Sequence, residues 1–280
     1  MFDRSSTLPR RALAAGTAAL MALSLGSLGV AAANASRPEA ASATLARQAP
    51  GPIHAGNTFG WYGHGGLVYD ETFVGPLAKR WHVEGPGQVR NQHGMLTLNT
   101  ANKGTVSATL ERPGRAYGRW EVRLRQRQYG HKNTPFRVLT ELVPATDAGE
   151  GCGEQNIALN RFKMAGDEVN FYIRSRPDNL FQASLRRGLG QDQWHTYAVE
   201  VTRERISWFI DAHVVYTENR DDVLTGVPLT VRFTMEAKPD RVMNVSRMQM
   251  DWVRHWSLEA PNTLPIDAPP TRAGVYNKAC

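Results

Sequence analysis

Gly153-Glu154-Gln155-Asn156-Ile157-Ala158-Leu159-Asn160 is the stretch on which the fold turns. It follows the turn-rich Pro144-Ala145-Thr146-Asp147-Ala148-Gly149-Glu150-Gly151, so it reads as a β-strand entered from a loop. Side chains alternate between faces along a strand, which puts Glu154, Asn156 and Ala158 on one face. A one-residue bulge after Asn156 would bring Leu159 to that face instead.

On either side of this stretch the chain keeps the same grammar. From Leu67 onward, short alternating runs are broken by Gly, Pro and Asn, with almost no helical period. Between Tyr117 and Arg125, Trp120, Val122 and Leu124 share one face, and Arg119, Glu121, Arg123 and Arg125 share the other. In Glu168 to Arg176, Val169, Phe171 and Ile173 oppose Asn170, Tyr172, Arg174 and Arg176. Asp211-Ala212 sits where a hairpin should turn. His195 and His213 lack a convincing Ser, Cys or Asp partner and read as structural. Glu141 interrupts the apolar run from Phe136 to Pro144; a charge there most often faces water, or else points into a cleft. The pattern predicts an all-β domain: two stacked antiparallel sheets in a jelly-roll sandwich, with Glu154 on the concave face.

At Glu154 the chain resembles the family-16 glycoside hydrolases, secreted concanavalin A-like jelly rolls that cut polysaccharides internally with retention. Their signature strand reads E-x-D-x-E, or E-x-D-x-x-E when bulged. Further likenesses follow in order: Leu67 to Phe73, Trp81 to Gly87, Gly94 to Leu98, Tyr117-Gly118-Arg119-Trp120-Glu121-Val122-Arg123, Trp194-His195-Thr196-Tyr197, and Met248 to Trp256. The resemblance covers about residues 67–259. It implies that Glu154 is the nucleophile and that Asn156 stands at the supporting Asp. The acid/base position holds Ala158 in the regular register and Leu159 in the bulged one. Neither side chain carries a proton, and general acid catalysis contributes about 10² to 10⁴-fold.

Three functions therefore stay open. The first is a catalytically degenerate glycan-binding protein, a pseudoenzyme on a hydrolase fold. The second is an active endo-glycosidase using Glu154 and a displaced carboxylate, with Glu236 or Glu141 as candidates. Glu236 lies on a strand that resembles the family's inner, groove-lining strand. The third is a non-catalytic envelope protein held by protein contacts. Arg161, Arg174 and Arg176, on or beside the strands next to Glu154, suit an acidic polysaccharide, because guanidinium groups bind carboxylate and sulfate bidentately. No cofactor and no C-x-x-C metal spacing is present, although Asp251 lies where some relatives hold a structural calcium.

The 280 residues carry a formal charge of +7, with 41% hydrophobic and 21% charged residues. That composition suits a globular protein that can bury a core, and the length allows one large β domain or two small ones. Residues 1–35 read as a cleaved export signal: Arg10-Arg11 precede an apolar run from Ala12 to Ala33, and Ala33-Asn34-Ala35 gives a cleavage site. A twin-arginine leader and an ordinary secretory one both fit. Three arginines and one aspartate leave with it, so the mature part carries about +5. Without a compact basic block or recognition motif, nucleic acid is a poor partner, and no later segment could span a bilayer. Residues 36–66 read as a flexible linker, 67–259 as the domain and 260–280 as a tail. Cys152 and Cys280 are the two cysteines, and in an oxidising compartment an even count suggests a disulfide. A secreted, extracellular monomer is the expectation.

Overall fold

The computed structural model describes residues 53–100, 104–146, 155–175, 178–224 and 226–276. In chain order, the first eight strands are β1 (Leu67–Glu71), β2 (Trp81–Glu84), β3 (Gln88–Asn91), β4 (Leu96–Thr100), β5 (Val106–Leu110), β6 (Gly118–Gln128), β7 (Arg137–Pro144) and β8 (Gln155–Lys163). They continue with β9 (Glu168–Ser175), β10 (Asn179–Arg186), β11 (His195–Val201), β12 (Ile206–Ile210), β13 (His213–Glu218), β14 (Leu229–Glu236), β15 (Ser246–Trp256) and β16 (Arg272–Val275). One sheet runs β13-β12-β11-β6-β15-β4-β3, with β1 also on β15; the other runs β16-β10-β9-β8-β7-β14-β5-β2. Neighbouring strands pair antiparallel, and the expected two-sheet sandwich is what forms.

The core lies between the sheets because alternation sends one apolar row of each strand inward. Val122, Leu124 and Trp208 come from the first sheet, and Ile157, Phe171 and Phe233 from the second; all are buried in one cluster. Each such side chain contributes about 1.5–3 kcal/mol by leaving water. Trp208 also donates its Nε1 hydrogen to the Ala158 carbonyl at 2.9 Å, a direct bond from one sheet to the other. The β12–β13 hairpin turns at Asp211 and Ala212, both at positive φ (47° and 60°), as its two-residue turn demands.

The outer face of the first sheet is not bare. Residues 53–66, expected in a linker, form a short helix (Ala55–Thr58) and a single 3-10 turn (Gly63–Gly65) instead. Trp61 and Phe59 bury against Phe209, Ala212 and Trp256, together with Ile266 from the segment expected to be a tail. That contact encloses Arg119 and Glu121 of the polar row of β6. Arg119 pairs with Glu200 at 2.6 Å and donates to the Ala260 carbonyl at 2.7 Å. Asn262 ties Trp61 Nε1 (2.7 Å) to Glu200 (2.8 Å). Glu121 accepts the backbone N–H groups of Ala55 (2.6 Å) and Gly56 (3.2 Å). The folded unit thus extends past both boundaries drawn at Leu67 and Glu259. Among the described residues no helix is long and apolar enough to cross a membrane.

Candidate active groove

The outward face of the second sheet carries the site. Register sets it: Arg232 of β14, Glu141 of β7, Ala158 of β8 and Tyr172 of β9 lie opposite one another in one row across four strands. Above this row is a depression of about 290 Å³, which adjoins a second of about 810 Å³ over β9 and β10. Arg137, Arg161, Tyr172, Arg174 and Tyr276 border both.

A bulge does interrupt β8, but later than expected. Glu141 faces Ala158 while Thr140 faces Asn160, so Leu159 is the extra residue. The extra residue turns inward. Leu159 packs in the core with Ile157 and Phe162, whereas Ala158 packs outside it with Leu139 and Tyr172. The possibility that Leu159 reaches the groove is therefore overturned: with the irregularity after Ala158, the face shared with Asn156 keeps its regular register. Ala158, the position that the resemblance equates with the acid/base, keeps the groove parity and carries only a methyl group.

The small size of Ala158 has a consequence. Tyr172 reaches over it and donates its hydroxyl to Glu141 Oε2 at 3.0 Å. Arg232 donates Nε (3.0 Å) and Nη2 (2.8 Å) to Glu141 Oε1, and Asn156 Nδ2 approaches Oε2 at 3.4 Å. Glu141 therefore does not face water; its side chain is 3% exposed and that of Arg232 7%. Each of these four contacts donates to the carboxylate, the geometry of a structural anion. Burial pushes the Tyr172 hydroxyl well above its ordinary pKa of 10.0, and the Glu141 charge adds to that. Glu236, the other candidate carboxylate, is half-buried and pairs with Arg161 at 2.7 Å, the arginine reaching across β7 to β14. Burial weakens the Arg161 charge, but Glu236 more than restores it and raises its pKa.

Glu154, Arg176, Cys152 and Cys280 lie outside the described residues. Asp251 is engaged by Arg123 at 2.6 Å, and among the described residues no group of three or more His, Cys, Asp or Glu could hold a metal ion. His195, read as lacking an Asp partner, in fact bonds to the carboxylate of the hairpin residue Asp211 at 2.9 Å, and His213 bonds to the Asp211 carbonyl at 2.8 Å. Sequence reasoning had not singled out Arg232 as a site residue. The signal was available: Arg232 shares parity with Glu236 in Leu229–Glu236, so a strand that offers one to the groove offers both. Alternation puts Tyr172 on the polar face, but nothing local to it marks its bond to Glu141.

The profile of the glycosyl hydrolases family 16 matches residues 79–254, more than half of the chain. The chain belongs to that family. No curated protein matches it. Among solved structures, this family-16 chain is similar to the laminarinase from Rhodothermus marinus, with 15% identity, TM-score 0.54, and 69% of this chain covering 97% of that one. It is similar to the endo-β-1,3-glucanase from Pyrococcus furiosus at 10% identity and TM-score 0.56, with 68% and 94% covered. An endo-acting O-glycanase of the human gut microbiota, from a group that initiates mucin breakdown, gives 15% identity and TM-score 0.57, with 71% and 93% covered. At these identities the likeness is one of fold.

Proposed function

We propose that the chain is a secreted family-16 protein that binds an acidic polysaccharide along this groove and has lost retaining hydrolysis. The observation that carries the reading is the row Arg232–Glu141–Ala158–Tyr172. Where the family's acid/base would stand there is Ala158, and the space over it is taken by a tyrosine bonded to an arginine-locked carboxylate. A retaining mechanism needs two carboxyl groups about 5–5.5 Å apart, one of them able to give up a proton. Glu154 can supply the nucleophile alone. Asn156 keeps the shape of the supporting Asp without its charge.

The arginines favour an anionic ligand. Arg137, Arg161, Arg174, Arg232 and Arg272 border the two depressions, against Glu141, Glu168 and Glu236. The leader read from the sequence favours export. The alternative, hydrolysis with a displaced acid, rests on Glu236, which is half-buried at the groove rather than enclosed like Glu141. Binding measured against uronic-acid, sulfated and neutral polysaccharides, with chain length followed over time, tests the proposal. Retention of an acidic polymer with its length unchanged is expected. Shortening of the polymer, or preference for a neutral β-glucan, overturns it.

A further inference from the structure

The family match ends at residue 254, yet the chain continues to the groove. After β15 the chain crosses the outer face of the first sheet, where Ile266 is buried. It then follows the β13 edge, where Thr217 donates its N–H to the Pro269 carbonyl at 3.1 Å. Glu218 and Arg220 anchor Thr271 there, Arg220 Nη2 donating to the Thr271 carbonyl at 2.9 Å and the Thr271 hydroxyl to Glu218. From there β16 adds itself to the edge of the second sheet, pairing with Asn179 to Gln182 of β10. Tyr276 follows directly and enters the groove wall.

Tyr276 meets Arg174 there. The Arg174 guanidinium lies 4.0 Å from the Tyr276 ring centre and 4.2 Å from that of Tyr172, so two rings engage one cation. Arg161 and Arg232 each have a carboxylate, at 2.7 and 2.8 Å. Among the described residues Arg174 has none, and its Nε is buried without a hydrogen-bond partner. Arg137 and Arg272, which border the same 810 Å³ depression, are likewise unpaired with any carboxylate among the described residues. Arginine stacked on a tyrosine is common as simple surface packing. Two rings on one guanidinium and two further unpaired arginines go beyond that. Stacking holds the guanidinium plane while leaving its in-plane N–H edge free for bidentate donation, and a held side chain loses less freedom on binding.

The geometry points to an anion subsite that the family domain does not contain by itself: Arg174, held between Tyr172 and Tyr276, receives a carboxylate or sulfate of a sugar unit, and the C-terminal segment completes it. The inference rests on the acidic-polysaccharide reading and assigns it a place. A uronate carboxylate is planar and a sulfate ester tetrahedral, but both present a pair of anionic oxygens to a guanidinium fork, and the assay separates them.

The test uses the full exported chain and titrates polygalacturonate, dextran sulfate and neutral laminarin against wild type, Arg174→Ala, Arg174→Lys, Tyr276→Ala and Tyr276→Phe. Tyr276 is only half-buried on the edge segment, so its variants fold even if Arg174→Ala does not. Binding of one charged polymer by wild type is expected, weakened about 10- to 100-fold in Arg174→Ala, the range for losing a hydrogen-bonded charge. Arg174→Lys keeps the charge but not the fork, and stays at least about 5-fold weak. Tyr276→Ala falls in the same direction and Tyr276→Phe recovers it. Tyr129→Ala, on the other sheet, has no effect. If wild type binds a charged polymer and the Arg174 and Tyr276 variants bind it equally well, the subsite is wrong and the acidic reading survives. If wild type binds only laminarin, or none of the three, both fall.

Discussion

Tyr172 and Glu141 meet across Ala158, hydroxyl to carboxylate at 3.0 Å, on strands that are not neighbours. β8 lies between them, and only a residue as small as alanine lets the tyrosine pass over it. One position thus carries only a methyl group and admits the tyrosine that covers it.

Glu141 and Arg232 should behave as a buried pair and not as catalytic groups. Removing one partner leaves the other charge buried, which costs about 3–5 kcal/mol, while replacing both by apolar groups costs far less. Urea unfolding of Arg232→Met, Glu141→Gln and the double variant should show the double more stable than Arg232→Met alone. Tyr172→Phe should cost about 1–3 kcal/mol through the donor lost to a buried carboxylate. Additive losses in the double variant would contradict a pair.

The bulge position fixes where a carboxylate could be restored. Leu159→Glu puts an unpaired charge in the core and should destabilise the fold by several kcal/mol. Ala158→Glu has to displace Tyr172 and its bond to Glu141, but it then reaches the groove face beside Glu141, where like charges raise a carboxyl pKa and hold a proton. Combined with Asn156→Asp, it should be the better tolerated change in urea unfolding, and the one of the two able to release a trace of reducing ends. The reverse ranking would place Leu159 in the groove.

Two buried carboxylates on the other sheet should give stability opposite pH slopes. Burial pushes Glu121 from 4.5 up to about 7, against the bonds from Ala55 and Gly56. The folded state binds the extra proton, so this contribution is full below pH 4.5 and is lost as pH rises to about 7, on the order of 3 kcal/mol. Burial also works to raise Glu218, but hydrogen bonds from Arg220 and Thr271 overcome it and hold the group at about 2. Its contribution is present above 4.5 and is lost as pH falls towards 2. Denaturation across pH should show the upper slope flattened in Glu121→Gln. Acid should loosen the C-terminal segment before the sandwich, and Glu218→Gln should expose that segment to protease at neutral pH.

Much of this was legible from alternation alone. Val169, Phe171 and Ile173 went inward and Tyr172 and Arg174 outward as the period of two requires, and Trp120 is core. The bulge was not legible, because its place is set by the register of β7 against β8, a relationship between distant residues. Nor was the role of Glu141: a lone glutamate in an apolar strand reads as solvent-facing until Arg232, ninety-one positions away, lies opposite it. Gly60-Trp61-Tyr62-Gly63 has no strand or helix period, so nothing local marks Trp61 as fully buried. Its partners Phe209, Trp256 and Asn262 come from far along the chain.

A groove that holds a polysaccharide without cutting it leaves the polymer's ends and length unchanged. The direct measurement is new reducing ends, together with polymer length, after prolonged incubation of wild type and Glu154→Gln with the polysaccharide each retains. No release above the protein-free control is expected for either, with binding persisting in both. Cleavage by wild type that disappears in Glu154→Gln, and falls by a comparable factor in Glu236→Gln, would contradict it and make Glu236 the displaced acid.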